Sequence, residues 1–304
     1  MICTVTLNPA VDQTLQFEEA MAPDRVMRAT DARFDAGGKG INVAQFLTAL
    51  NTPSVATGVV GGFTGQFIRE RLDDADIPTA FVDIGKPTRL NTSAIADGTE
   101  YKLNHDGPAI DDDTVAAVID RVGDQDPDRV LVGGSLPPGV STAAVDAIAS
   151  AGDWDTVVDM DGHHLRALDA NYALCKPNRE ELAAATDHDV STVEACARAA
   201  GAFRSQGFDT VLASLGGDGA VLATESELLA ATPLDVDVVD TVGAGDALLS
   251  GALAAWADGE DDARALKTGI AVASRVVARA GTAVPELGDI AADRRRVAVR
   301  ELDH

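Results

Sequence analysis

The chain has 304 residues, and its 49 acidic side chains outnumber 24 basic ones, for a formal net charge of −25. That excess excludes a general basic surface for nucleic acid or anionic lipid, and no apolar run approaches the roughly 20 residues of a membrane-spanning helix. With 46% hydrophobic residues the chain can bury a sizeable core. Cys3, Cys175 and Cys196 offer neither a CxxC pair nor a disulfide framework.

In chain order, short β-branched runs predict strands over 2–7, 54–60, 129–132, 156–159, 173–176 and 210–214. Amphipathic stretches predict helices over 40–50, 64–74, 112–122, 142–149, 178–185, 192–205, 244–256 and 261–279. Strands alternating with helices imply a mostly parallel sheet covered on both faces. Two stretches break the rhythm, 11–34 and 89–103, and read as extended segments. In the second, Thr92–Ala96, the pair Asp97-Gly98 and Thr99–Leu103 predict a hairpin. These strands would form a small lid or partner-binding flap on one large domain spanning 1–304, drawn from about 11–35 and 86–106.

The dispersed acids, with only five lysines and 4% aromatic residues, resemble the composition of halophile proteins, whose hydrated acidic surface is screened by concentrated salt. No basic region followed by an apolar stretch opens the chain, so a cytoplasmic location is expected.

The strongest local signal is Asp240-Thr241-Val242-Gly243-Ala244-Gly245-Asp246 at the start of a predicted helix. Small residues at a helix start expose N–H groups to an anion, and a carboxylate in the first turn can accept a proton from an attacking hydroxyl. Taken alone, Asp246 could equally be a helix cap. A second cluster, Gly37-Gly38-Lys39-Gly40-Ile41-Asn42, lacks the P-loop spacing, and no GxGxxG follows the first strand, which leaves a nicotinamide site unsupported. Lys39 and Asn42 could donate to sugar hydroxyls or phosphate. His163 and His164 are adjacent and make poor joint metal ligands. Asp159-x-Asp161-Gly162 lacks the later ligands of a calcium loop and reads as a strand end and turn, and Cys175 as a core thiol.

Taken in order, these segments resemble the ribokinase-like PfkB sugar kinases over essentially the whole chain. The matching segments are Thr6-Leu7-Asn8-Pro9-Ala10-Val11-Asp12, Gly37 to Asn42, Gly134-Ser135-Leu136-Pro137-Pro138-Gly139, Lys176-Pro177-Asn178 with Glu181, Ser214 to Ala220, and Asp240 to Asp246. The opening is similar to the phosphosugar branch, which holds 1-phosphofructokinases and tagatose-6-phosphate kinases. The resemblance implies a three-layer α/β/α sandwich with a mostly parallel central sheet and a small β-strand lid. It implies Asp246 as general base and the N–H groups of Gly243, Ala244 and Gly245 as an anion hole. Asp12, Gly38, Lys39 and Asn42 would bind the sugar, with Arg28, Arg89, Asn104 and Ser135 at its phosphate. Lys176, Asn178, Ser214, Gly216, Gly219, Thr241, Gly243, Gly245 and Gly281 would bind ATP, and Asn178 and Glu181 would position Mg²⁺ through water. K⁺ stands as a further candidate cofactor.

The implied reaction is ATP-dependent phosphorylation of D-fructose 1-phosphate to fructose 1,6-bisphosphate. Tagatose-6-phosphate or fructose-6-phosphate is the alternative substrate, and a non-catalytic nucleotide- or sugar-binding regulator the alternative class. The resemblance also implies a homodimer through the lid strands.

Overall fold

A computed structural model describes residues 1–279 and 284–303. Their elements run β1 (Ile2–Thr6), β2 (Ala10–Phe17), β3 (Asp31–Gly37), α1 (Lys39–Ala49), β4 (Ser54–Val60), α2 (Gly62–Asp73), β5 (Val82–Asp83), β6 (Arg89–Ala96) and β7 (Thr99–Leu103). Then come α3 (Asp112–Gly123), β8 (Arg129–Gly133), α4 (Thr142–Ala149), β9 (Asp155–Asp159), α5 (Gly162–Arg166), β10 (Tyr172–Cys175), α6 (Arg179–Ala185), α7 (Val193–Arg204) and β11 (Phe208–Ser214). The chain closes with β12 (Ala220–Ala223), β13 (Leu228–Ala231), α8 (Ala244–Ala257), α9 (Asp262–Val277), α10 (Ile290–Arg296) and β14 (Val299–Glu301).

Ten strands make one sheet in the order β14-β13-β12-β11-β10-β9-β8-β1-β4-β5. From β11 to β5 every pairing is parallel, whereas β12, β13 and β14 add an antiparallel edge. Alternate residues of each strand point to opposite faces, and each face has its own core. Val130, Val132, Val158, Val211 and Ala213 join one cluster with residues of α3, α4, α6 and α7. Leu131, Val157 and Leu212 join another with residues of α1, α8 and α9. The layers are therefore helix, sheet, helix, as expected.

The segments that broke the rhythm form a second sheet, β3-β2-β6-β7. Its hairpin turns at Asp97 and Gly98, both at positive φ (48° and 73°), the geometry that makes an Asp-Gly pair a tight turn. The first extended segment is two antiparallel strands, β2 and β3, with an irregular stretch over 18–30 between them. The turn expected after Asp159 is a short helix: Asp161 caps α5, its carboxylate accepting from the N–H groups of His163 and His164. No described helix is long and apolar enough to cross a membrane.

Candidate active site

Parallel strands that run side by side end on the same edge, and in such sheets ligands bind beyond those carboxyl ends. The loops after β1, β8 and β10 carry Asn8, Ser135 and Lys176 to that edge, and β9 and β11 end there on Asp159 and Ser214.

The centre of the edge is a cluster of buried charge. Asp246 stands in the first turn of α8 and is only 8% exposed. Its Oδ2 accepts a hydrogen bond from Asn42 Nδ2 at 2.8 Å, so the carboxylate does not cap its own helix. Burial, and then the charge of Asp159, push its pKa up to about 6, against the pull of Asn42, Lys176 and Lys39. A carboxyl poised there is ionised at neutral pH yet basic enough to take a proton. Gly243 precedes the helix in the left-handed region (φ 77°), where a side chain would be strained. The Ala244 N–H reaches the Thr241 carbonyl at 3.3 Å, so it is not a free donor of the expected anion hole; that leaves Gly243 and Gly245. The Lys176 amine lies 3.3 Å from the point where a Cβ on Gly245 would sit, which places a positive charge beside those amides.

Asp159, dismissed in the sequence as a strand end, is fully buried between two lysines. Lys39 Nζ donates to Asp159 Oδ1 at 2.6 Å and lies 3.7 Å from Glu181 Oε1. Burial works against the Lys39 charge, but Asp159, Glu181 and Asp246 outweigh it and raise its pKa. Lys39 is therefore turned toward these carboxylates, not toward a sugar as its motif suggested. Lys176 Nζ is 3.3 Å from Asp159 Oδ2, but that oxygen has no hydrogen bond among the described residues. The only sequence signal for Asp159 was its position at the end of a strand beside a chemically marked loop.

Asn178 and Glu181 were expected on one helical face as paired cation holders. Instead Asn178 is the cap of α6: its Oδ1 accepts from the Glu181 N–H at 2.8 Å, and Glu181 Oε2 accepts from the Asn178 N–H at 2.7 Å. Glu181 Oε1 stays outside this box. A hard divalent cation takes carboxylate oxygens directly or through water, and the unbonded Asp159 Oδ2 together with Glu181 Oε1 is a donor set of that chemistry. The residues present fit Mg²⁺, and Asp159 adds a carboxylate to the Asn178–Glu181 pair singled out in the sequence.

A second region lies where the small sheet meets the main one. Arg89 opens β6, and its Nη2 and Nε donate to the Asn8 carbonyl at 3.1 and 3.3 Å. Its Nη1 donates to the His105 carbonyl at 3.0 Å, and its Nη2 lies 3.4 Å from Ser135 Oγ. Asn8 Nδ2 donates to Ser135 Oγ and to the Asp106 carbonyl at 3.1 and 3.0 Å. Arg89, Asn8, Ser135, Asn104 and His105 share a cleft of about 380 Å³ with the Pro137-Pro138 loop. Arg28 does not line it; that side chain is exposed on the stretch between β2 and β3. Asn8, His105 and Asp106 are polar lining residues that sequence reasoning passed over, and Asn8 stood in a quoted motif.

Asp12 stands on β2 of the small sheet, within the field of Arg89. Its Oδ1 accepts from Asn91 Nδ2 at 2.9 Å, across the β2–β6 register that pairs the two residues. Burial raises its pKa, with Asn91 and Arg89 pulling the other way. Gly37 makes room for it, since a Cβ there would sit 1.8 Å from Asp12 Oδ2. Gly38 packs instead against Thr6 and Pro9 and serves the turn into α1. On the far side, Gly216 faces open space after β11, whereas a Cβ on Gly219 would meet the Ala231 carbonyl at 2.0 Å, so Gly219 serves strand packing. Thr241 is exposed ahead of α8, and Gly281 lies outside the described residues. Cys175 is buried with its thiol pKa raised by burial, an inert core position.

A three-layer fold with a buried carboxylate at a glycine-led helix start, and a separate cleft holding Arg89, fits a carbohydrate-kinase architecture. The pfkB family carbohydrate kinase model matches residues 5–287, and the chain belongs to that family. It is 52% identical to a 1-phosphofructokinase of Haloferax volcanii over 299 residues, 98% of either chain. It is 30% identical to a D-tagatose-1-phosphate kinase of Klebsiella oxytoca, over 92% of this chain and 94% of that one. Among solved structures, the phosphofructokinase-2 of Escherichia coli in complex with potassium superimposes with a TM-score of 0.90 at 27% identity, covering 97% and 98% of the two chains. Family membership implies ATP and Mg²⁺.

Proposed function

We propose that the chain transfers the terminal phosphoryl group of ATP to the 6-hydroxyl of D-fructose 1-phosphate, giving fructose 1,6-bisphosphate and ADP. The observation that carries this is Asp246, buried, hydrogen-bonded by Asn42 and held near a pKa of 6 at a helix start. Its free Oδ1 takes the proton of the attacking hydroxyl as the new O–P bond forms. The Gly243 and Gly245 N–H groups and the Lys176 amine meet the charge on the moving phosphoryl group. Lys39 holds Asp159 and Glu181 in place. Mg²⁺, when bound at Asp159 and Glu181, supplies neutralisation of the triphosphate.

At the other end, Arg89, Asn8 and Ser135 would take the sugar's own phosphate, a guanidinium fork being suited to a dianion. Asp12 would accept from ring hydroxyls. Support for fructose 1-phosphate comes from the 52% identity to the Haloferax 1-phosphofructokinase. The sugar for which the tagatose-1-phosphate kinase relative is named carries its phosphate on carbon 1 as well, which favours a 1-phosphate acceptor over the 6-phosphates considered from sequence. K⁺ joins the proposal because the Escherichia coli neighbour was solved with potassium.

Initial rates with Mg-ATP and equal concentrations of fructose 1-phosphate, tagatose 1-phosphate and fructose 6-phosphate test the reading. Fructose 1-phosphate should give the highest kcat/KM. Preference for a 6-phosphate would overturn the acceptor assignment, and absence of any sugar-dependent ADP would leave a binding protein. Exchanging K⁺ for Na⁺ at constant ionic strength should slow turnover; equal rates remove K⁺ from the proposal.

A further inference from the structure

Away from this site, α9 and α10 enclose a depression of about 200 Å³ lined by Arg264, Lys267, Arg294 and Arg295. Cations alone line this concavity, on a chain whose acidic residues outnumber its basic ones 49 to 24. One carboxylate stands behind them: Glu260 Oε2 accepts from Arg264 Nη1 at 2.6 Å, and Glu260 Oε1 lies 3.5 Å from Arg294 Nη1. It ties the two guanidinium groups together across the two helices. Among the described residues, Lys267 and Arg295 have no ion pair. Four cationic side chains thus line the depression, and Glu260 pairs with only two of them.

Helix electrostatics account for only half of the cluster. Arg294 and Arg295 sit in the last turn of α10, where the macrodipole favours cations. Arg264 sits in the first turn of α9, at the end the dipole makes unfavourable for a cation. Lys267 follows three residues later and so shares its face. Mutual repulsion among these groups is relieved by a bound multivalent anion, and arginine forks bind oxyanions bidentately. The volume falls below the roughly 300–1,000 Å³ of pockets that hold drug-sized ligands, which argues against a nucleotide and for something smaller.

We propose that this depression is a binding site for a small multivalent oxyanion of the phosphate class, inorganic phosphate or pyrophosphate in size. It is separate from the active site. Asp246 lies in the first turn of the 14-residue α8, and Arg264 begins the helix that follows α8's other end, about 20 Å away at 1.5 Å per residue.

Inorganic pyrophosphate, titrated calorimetrically into the full chain, is the probe. The active site is first filled with the phosphosugar and a non-hydrolysable ATP analogue, so that its own anion sites are occupied. One further pyrophosphate should bind, and the double variant Lys267→Gln, Arg295→Gln should weaken it at least about tenfold, as expected when two charge-assisted contacts are lost. Both side chains lie outside the ion pairs, and an unchanged melting temperature verifies the variant's fold. Arg89→Ala should leave this binding unchanged. No residual binding, or binding that the double variant leaves intact, overturns the proposal. Tungstate soaked into crystals of the unaltered chain gives a second readout: an anomalous peak between α9 and α10 supports the site, and peaks confined to the active site refute it.

Discussion

The two anion-handling regions of the active site are built in opposite ways. Around Asp246 the charges are clustered and largely paired in advance, with only Asp159 Oδ2 unbonded among the described residues: Asn42 holds Asp246, Lys39 holds Asp159, and a Lys176 amine stands by Gly245. Around Arg89 the groups come from separate segments, β6, the β1–β2 loop, the loop after β8 and the chain beyond β7, and they face an open cleft. The first region is preorganised for charge that appears only during reaction, where fixed dipoles are most effective. The second grips a charge that the substrate already carries. Damage to the first should therefore appear in kcat, and damage to the second in KM.

Asp246→Asn breaks that contrast most severely. Loss of the base should lower kcat by about 10²–10⁴-fold, with little change in ATP affinity. Stability should move the other way. Because burial raises the Asp246 pKa to about 6 from 3.8, its protonated form is favoured in the folded state, and the ionised form costs stability at neutral pH. The cost is fully present above pH 6, fades as pH falls through 6, and is absent below the unfolded value. The neutral asparagine should thus raise stability at pH 7.5 by an amount on the order of 1–3 kcal/mol, an advantage that shrinks as the pH is lowered toward 4. A variant that is inactive and also less stable at pH 7.5 would mean that the lysines depend on the Asp246 charge more than burial opposes it.

Arg89→Ala tests the other region. Its guanidinium joins three backbone and side-chain partners, and its removal should raise the phosphosugar KM by roughly 10–100-fold, the equivalent of a charge-assisted contact. The KM for ATP should hold. An equal loss in kcat with unchanged KM would merge the two regions into one.

How far each region was visible in the sequence follows from the same difference. The Asp246 loop is contiguous, and its chemistry could be read from neighbouring residues. Asp159 could not, because a buried aspartate at a strand end acquires its partners from α1 and the loop after β10 only on folding. Asn178 and Glu181 were singled out as a cation-holding pair, but the pattern Asn-x-x-Glu also spells a capping box, and that is the local geometry adopted. In the fold, Ser54–Val60 was legible at both ends as a wholly buried β-branched run, and the Asp97-Gly98 hairpin by its turn chemistry. The antiparallel edge was not. β12 and β13 read Ala-Val-Leu-Ala and Leu-Leu-Ala-Ala, in which alanine and leucine carry a helical preference, and pairing across the edge overrides it.

Salt separates the regions on a second axis. The net charge of −25 is spread over the surface, and the screening length grows from about 3 Å in 1 M salt to about 10 Å in 0.1 M. The halophile-like composition leads us to expect a lower melting temperature on dilution, with the exposed edge of the small sheet loosening first. The buried ion pairs around Asp159 are screened far less. In dilute salt the phosphosugar KM should therefore rise before kcat falls. A melting temperature independent of salt would show that the surface repulsion is already balanced.

Asn42→Ala is the gentlest change and the sharpest probe of the buried region. Among the described residues its amide supplies the one side-chain hydrogen bond to the Asp246 carboxylate, and it favours the ionised form. Without it the Asp246 pKa should climb further above 6, so the acid limb of the kcat profile should shift to higher pH while the plateau at high pH is nearly kept. Near pH 7 turnover should fall only a few-fold, an effect of the size expected for one lost hydrogen bond. The shift in the limb matters more than the loss in rate, because a residue that merely packed would lower the plateau and leave the limb in place. If the limb stays put and sugar KM rises instead, Asn42 belongs to the substrate, and the carboxylate is held by the lysines alone.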